Sequence, residues 1–328
     1  MARADSGTPS LPSILDMLLD RSVLLGYSRV GYLTRRRIWH ALDPAPNALA
    51  GCTAVVTGAN SGLGQATTAG LARLGARVVM VVRDTTRGER ARHRTAEQVS
   101  GADPALQRCD VSDLDDVAAF AEQLRETHPR IDVLVHNAGV LPAERSETAQ
   151  GHEITLATHV LGPLLLTERL RPALAASPDA RVVWVSSGGM YTQPLPADDP
   201  EYHRGTYRGA TAYARTKRVQ VAFTPLLARR YAGDGIGMHA MHPGWADTPG
   251  VASSLPGFHK LTGPLLRTSA EGADTTCWLA ATRPAPPSGR FWHDRRPRPT
   301  HYLPGRGDDP RALQKMWDHC ATAAGLES

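Results

Sequence analysis

Thr53-Ala54-Val55-Val56-Thr57-Gly58-Ala59-Asn60-Ser61-Gly62-Leu63-Gly64 joins a short β-branched run to a glycine-rich turn and then to a helical pattern. Glycines let a backbone turn sharply and bring peptide N–H groups close to a pyrophosphate. The N-terminus of the helix that follows adds further N–H groups and a partial positive charge. The spacing is GxxxGxG rather than GxGxxG. A turn of this kind can be purely structural, but its place between an apolar strand and a helix makes it a phosphate cradle. Gly58, Asn60, Ser61, Gly62, Leu63 and Gly64 are its candidate binding residues.

Outward from this turn the chain alternates strand and helix. Leu63–Leu74 reads as a helix stopped by Gly75, and Arg77–Val82 as a second strand. Helix, strand and helix are expected near 86–98, 105–109 and 113–127, then a strand at Ile131–His136 and a long helix from about 152 to 176. Arg181–Ser186 reads as a strand, 211–232 as a helix, 236–241 as a strand, 265–282 as a helix and Arg290–Trp292 as a last short strand. Continuous apolar strands alternating with helices mean a parallel sheet covered on both faces. The expectation is one α/β domain over about 48–300: a Rossmann-like, doubly wound parallel sheet of about seven strands with helices on both faces. Residues 1–47 form an N-terminal arm and 301–328 a C-terminal arm with a short helix.

The second strand ends Val81-Val82-Arg83-Asp84. In dinucleotide folds this end lies by the adenine ribose. An acid there binds the 2′-hydroxyl of NAD, whereas a guanidinium suits a 2′-phosphate. Arg83 therefore favours NADP, and Asp84 beside it keeps NAD open. Tyr213-Ala214-Arg215-Thr216-Lys217 lies in a helical stretch, where positions four apart share a face. A lysine charge there lowers a phenol pKa from about 10 and readies Tyr213 as an acid/base. YxxxK alone is a common surface pattern; here it follows a nucleotide turn and a strand ending in Ser186-Ser187, whose hydroxyl can hold a carbonyl oxygen.

Taken together, these residues resemble the short-chain dehydrogenase/reductase family over about residues 48–300. Asp110-Val111 resembles its adenine contact, and His136-Asn137-Ala138-Gly139 its Asn-Asn-Ala-Gly motif with the first Asn replaced. Pro243-Gly244-Trp245-Ala246-Asp247-Thr248 is similar to the segment that holds the nicotinamide amide. The resemblance implies that Asp110, Val111, Asn137, Ala138, Gly139, Pro243, Gly244 and Thr248 contact the cofactor. It also implies that Ser187, Tyr213 and Lys217 are catalytic, with Tyr213 and Lys217 also holding the nicotinamide ribose. The stretches Thr57–Gly62 and Val82–Asp84 look like those of retinol-dehydrogenase-like, NADP-using members. More narrowly, Ser186–Met190, Met241–Val251 and Pro256–His259 look like the orphan dehydrogenase/reductase member-twelve type. One departure stands out: His159 occupies the place of an asparagine that anchors a water linked to the lysine. The expectation is that its imidazole holds that water or relays the proton, against the alternative of a packed helix histidine.

The chain has 328 residues, 41% hydrophobic and 21% charged, which excludes disorder for most of it. The net charge of +5 comes largely from Arg35-Arg36-Arg37 and Arg290–Arg298. No nucleic-acid module accompanies these clusters, so phosphate-bearing cofactors and solubility account for them. The four cysteines have no metal-ligand spacing and the thirteen histidines no HExxH pattern, so no metal is expected. Residues 11–25 read as an amphipathic helix through Ile14, Leu15, Leu18, Leu19 and Leu25, packed on the body or a partner subunit, with membrane-surface contact the less favoured reading. With no signal peptide or membrane span, a cytoplasmic enzyme is expected, acting on a small carbonyl or alcohol and forming a homo-oligomer. Met190, Tyr191, Trp245 and Phe258 point to an apolar substrate, and the residues between Ser187 and Tyr213 to a lid. A second reading, a catalytically weak NADP-binding sensor or scaffold, rests on His159 and the two arms.

Overall fold

The computed structural model describes residues 16, 19–20, 22–39, 41–248, 257, 260, 262–303, 305 and 307–326. Eight strands form one sheet in the order β3-β2-β1-β4-β5-β6-β7-β8. They are β1 (Thr53–Thr57), β2 (Arg77–Val82), β3 (Ala105–Arg108), β4 (Val133–His136), β5 (Arg181–Val185), β6 (Gly237–Met241), β7 (Arg290–His293) and β8 (Arg296–Pro297). All neighbours pair parallel except β7 and β8. The order reverses between β1 and β4, which opens a crevice at their carboxyl ends where such sheets bind ligands.

The central strands are largely apolar, and their side chains alternate between two layers. Val55, Val79, Leu134, Val182 and Met238 face one core, and Ala54, Val56, Met80, Val183 and Met241 the other. The first core is closed by α5 (Leu114–Thr127), α7 (Gly162–Ala175), α8 (Gly209–Arg230) and α10 (Pro310–Ala323). The second is closed by α3 (Gly62–Arg73), α4 (Thr85–Gln98) and α9 (Ser269–Ala281). Helix starts follow their capping residues. Asp84 accepts the Arg87 N–H, Asp113 accepts those of Asp115 and Asp116, and Thr268 and Glu271 form a reciprocal capping box.

Two expectations are corrected. The sheet has eight strands, not seven, because the chain turns back after β7 and adds β8 antiparallel, pairing His293 with Arg296. The turn residues Asp294 and Arg295 both have positive φ, at 50° and 57°. Such a turn normally takes Asn-Gly, so sequence reading passes over it. The long helix over 152–176 is also not uniform: α6 (Ile154–Leu156) runs through a π-helical turn, Ala157–Leu161, into α7.

The N-terminal arm contains α1 (Val23–Tyr27) and α2 (Arg29–Ile38). Ile14, Leu15 and Leu18 lie outside the described residues, and Leu25 is exposed. Asp16 and Asp20 are buried. Arg35 is buried with them, bonded to Asp16 at 3.0 Å and to Asp294 at 2.8 Å. Arg298 also binds Asp16, and Arg295 binds Asp43 and Asp274. Much of the two basic clusters is therefore consumed in an internal ion-pair network that joins the arm to the β7–β8 hairpin.

Candidate active site

The crevice is built from the glycine turn outward. Gly58 has φ +64°, and a Cβ there would stand 2.7 Å from the Ala138 Cα. A Cβ on Gly64 would stand 2.5 Å from the Asn137 Nδ2. Only bare backbone lets β1, α3 and the end of β4 approach so closely. Asn137 donates its amide to the Thr57 and Gly58 carbonyls, and the Asn137 and Ala138 N–H groups donate to the Thr57 hydroxyl. The expected cofactor role of Asn137 is thus, in its side chain, a brace for the turn. Ser61 precedes α3 without a side-chain cap, which leaves the helix N-terminus with N–H groups for an anion. This cradle fits a dinucleotide pyrophosphate.

Ser187, Tyr213 and Lys217 converge beyond β5. Lys217 is buried on α8 and donates to the Val185 carbonyl, the last residue of β5, at 2.7 Å. Its ammonium lies 5.4 Å from the centre of the Tyr213 ring. Burial pushes Lys217 down to about 7. Tyr213 is partly exposed as a residue, but its hydroxyl is enclosed; burial raises its pKa while a hydrogen bond from Ser187 acts the other way. The expectation of a lowered phenol is therefore not met, because burial outweighs the Ser187 hydrogen bond. Ser187 accepts from the Gly189 N–H at 3.1 Å, and its own proton is directed toward Tyr213.

His159 lies in the π-helical turn and is fully buried. Its Nε2 accepts the Val140 N–H at 3.0 Å, so that nitrogen carries no proton. Its Nδ1 then donates to the Thr216 hydroxyl at 2.8 Å, and Thr216 in turn donates to the Tyr213 carbonyl. Burial, then the Lys217 charge, hold its pKa well below the ordinary value. With both ring nitrogens engaged, the neutral imidazole is a strut between the end of β4 and the Tyr213 turn. It has no free nitrogen to hold a water or relay a proton, which corrects the expectation for this residue. Thr216, inside the YxxxK pattern, is the partner that sequence reading missed; its β-hydroxyl offered no signal of its own.

A model of the short chain dehydrogenase family matches residues 52–257. The chain belongs to the short-chain dehydrogenase family. It is 40% identical over 293 residues to dehydrogenase/reductase SDR family member 12 of Bos taurus, covering 87% of this chain and 91% of that protein. It is 34% identical to retinol dehydrogenase 14 of Mus musculus, covering 86% and 88%. Among solved structures, a Mycobacterium paratuberculosis protein matches with a TM-score of 0.66 at 29% identity, over 88% of this chain and 98% of that one. A Beutenbergia cavernae protein described as an NAD(P)-dependent gluconate 5-dehydrogenase, solved with NADP, matches with a TM-score of 0.59 at 28% identity, over 72% and 92%.

Just beyond β2 in this short-chain dehydrogenase, Arg83 is exposed and lies 3.6 Å from Asp110. Asp110 also accepts from the Ser112 N–H and hydroxyl. Asp84 caps α4 and pairs with Arg87, so its carboxylate is already engaged. Val111 is buried, its carbonyl packed where a Cβ on Gly162 would collide at 1.9 Å. Gly139 faces the His159 ring. His136 points away from the crevice to the Thr167 hydroxyl, and burial pushes it down to about 3.

On the segment after β6, Pro243 accepts from Arg267, and Gly244, at φ +74°, donates to the His242 ring. Thr248 is described as partly exposed at the end of this segment. Of the four expected pocket residues, Met190 is wholly buried against Arg218, Tyr191 and Trp245 are partly exposed, and Phe258 lies outside the described residues. The expected lid is stitched down: Glu201 in its middle is buried and bonded to His152, His319 and the Glu153 N–H.

Proposed function

We propose that this protein is an NADP(H)-dependent oxidoreductase that interconverts a carbonyl and an alcohol on an apolar substrate, with Tyr213 as acid/base. The convergence of Ser187, Tyr213 and Lys217 at the end of β5 carries this reading. A bound nicotinamide dinucleotide supplies or accepts the hydride. Gly58–Gly64 and the start of α3 cradle its pyrophosphate, while Asp110, Val111, Ala138, Gly139 and the Pro243–Thr248 segment line the rest of its groove. Ser187 donates a hydrogen bond to the substrate oxygen. Tyr213 gives that oxygen its proton in reduction and takes it back in oxidation. Lys217, held on the Val185 carbonyl, stabilises the phenolate that results. The preference for NADP is supported by Arg83, whose exposed guanidinium suits a 2′-phosphate, and by Asp84, whose carboxylate is committed to a helix cap. All four cysteines are free thiols, which suits a cytoplasmic enzyme.

The test is reduction of ketones, aldehydes, sterols and retinoids with NADPH. Tyr213→Phe should lower kcat by about 100-fold or more without weakening NADPH binding. Tight NADPH binding with no turnover on any carbonyl, unchanged by Tyr213→Phe, would establish the sensor reading instead. Arg83→Asp should raise KM for NADPH by roughly tenfold, one lost charge-assisted contact, and leave NADH unaffected or improved.

A further inference from the structure

Both arms reach the catalytic serine. Tyr27, at the end of α1, is buried against the turn that follows Ser187, so that a Cβ on Gly188 would stand 2.4 Å from its ring. The same ring meets His242 edge-on at 4.5 Å and Trp245 at 6.3 Å, on the nicotinamide segment. The Trp245 N–H donates to the Tyr27 carbonyl at 2.8 Å. Tyr27 therefore sits between the serine turn and the nicotinamide segment, over the carboxyl ends of β5 and β6. Its hydroxyl meets that of Tyr302, from the C-terminal arm, at 2.5 Å. Tyr302 stacks on Tyr191 at 3.9 Å, and Tyr191 lies in the serine turn itself. Three tyrosines from three distant segments thus form one continuous aromatic face.

The hydroxyls tie the arms down: Tyr191 donates to the Pro299 carbonyl and Tyr302 to the Asp20 carbonyl. Tyr191 and Tyr302 nevertheless remain partly open to solvent, and Leu303 beside Tyr302 is exposed. Burial raises all three phenols, so the face stays uncharged at working pH. A neutral aromatic face suits a flat apolar molecule.

We propose that Tyr191 and Tyr302, backed by the buried Tyr27, form the wall that selects the substrate, making the N- and C-terminal arms part of the active site. This rests on the oxidoreductase reading above for what the wall selects, namely apolar carbonyl compounds. The wall sorts them by the size and flatness of the part remote from the carbonyl.

The experiment measures binding of one-ring, two-ring and four-ring ketones to the enzyme–NADP+ complex by calorimetry, so that no turnover is needed. Wild type is compared with Tyr27→Ala, Tyr191→Ala and Tyr302→Ala, with NADP+ affinity and thermal stability followed in parallel. The expected result is a change of about tenfold or more in the ratio of four-ring to one-ring affinity, with NADP+ affinity held within about twofold. Tyr302 and Tyr191 keep the test sound if the buried Tyr27 variant fails to fold. An unchanged ratio in the folded variants, or a parallel loss of every ketone, NADP+ and stability, would overturn the proposal. So would a wild-type complex that binds no ketone of any size. Ketone binding that shifts as expected with no reduction by NADPH would refute the oxidoreductase reading and leave the wall standing.

Discussion

Lys217 makes one described hydrogen bond, to the Val185 carbonyl, and loses most of its hydration to α8 and β5. A carbonyl replaces only part of what water gives an ammonium, so its pKa falls from 10.5 to about 7. His159, next to it, is neutral and bonded through both nitrogens. These two states assign the pH dependence. For reduction, kcat/KM for NADPH reports the free enzyme and should fall as pH rises through about 7, where Lys217 loses its proton. Lys217→Arg should carry the fall to higher pH, because a guanidinium keeps its charge. His159→Asn should leave the inflection in place. His159→Ala should cost about 1–3 kcal/mol in urea unfolding, since the Val140 N–H and Thr216 hydroxyl lose a buried partner. An inflection that moves with His159→Asn would mean the imidazole does relay a proton. The pairing of Tyr213 with Lys217 was readable because a helix places i and i+4 together; the roles expected of Ser187, Tyr213 and Lys217 came from the order of motifs along the chain and the family resemblance. The partners of His159 were not, since Val140 and Thr216 reach it only through the packing of two helices on β4.

The β7–β8 hairpin shows how an element is held by forces outside itself. Arg295 at φ +57° is in a conformation that costs a bulky residue about 1 kcal/mol or more. It persists because Asp43 and Asp274 bind its guanidinium, and because Asp294 beside it is gripped by Arg267 and Arg35. Those bonds hold the Asp294 carboxyl far below the usual range. Its neighbour His293 donates Nδ1–H to the His242 carbonyl and stays neutral, so it adds no charge to the cluster. Asp294→Asn leaves two buried guanidinium groups short of a counter-charge. It should destabilise the protein by about 3–5 kcal/mol in urea unfolding and make α2 more sensitive to proteolysis. Full stability in that variant would show that the arm is held by its apolar contacts alone. The succession of strands and helices was legible because continuous apolar runs and helical spacing are local signals. This turn was not, since nothing local favours Asp-Arg there.

Across the whole molecule, Glu201 is one of the groups that tie the segment between Ser187 and Tyr213 to the body and to α10. Glu201 accepts from His152 at 3.0 Å, from His319 at 2.9 Å and from the Glu153 N–H at 2.8 Å. These bonds lower its pKa from 4.5 to about 2. A depressed carboxylate gives its full stabilisation above its unfolded pKa and loses it as pH falls through the folded one. The contribution of Glu201 should therefore be complete above about 4.5 and fade toward 2. Glu201→Gln should lower stability at neutral pH and flatten its acid dependence across that window, measured by urea midpoint against pH. A variant whose acid slope matches wild type would remove Glu201 from this role.

The order of strands and helices, the phosphate turn and the catalytic spacing could all be read from the chain itself, because each is a pattern within a few residues along one strand or helix. The eighth strand, the neutral state of His159, the burial of Asp16, Asp20 and Arg35, and the meeting of Tyr27 with Tyr191 and Tyr302 were decided only by tertiary structure. Their partners lie far apart in the chain, and charge and hydroxyl pairing in a desolvated interior depends on which groups folding brings within reach.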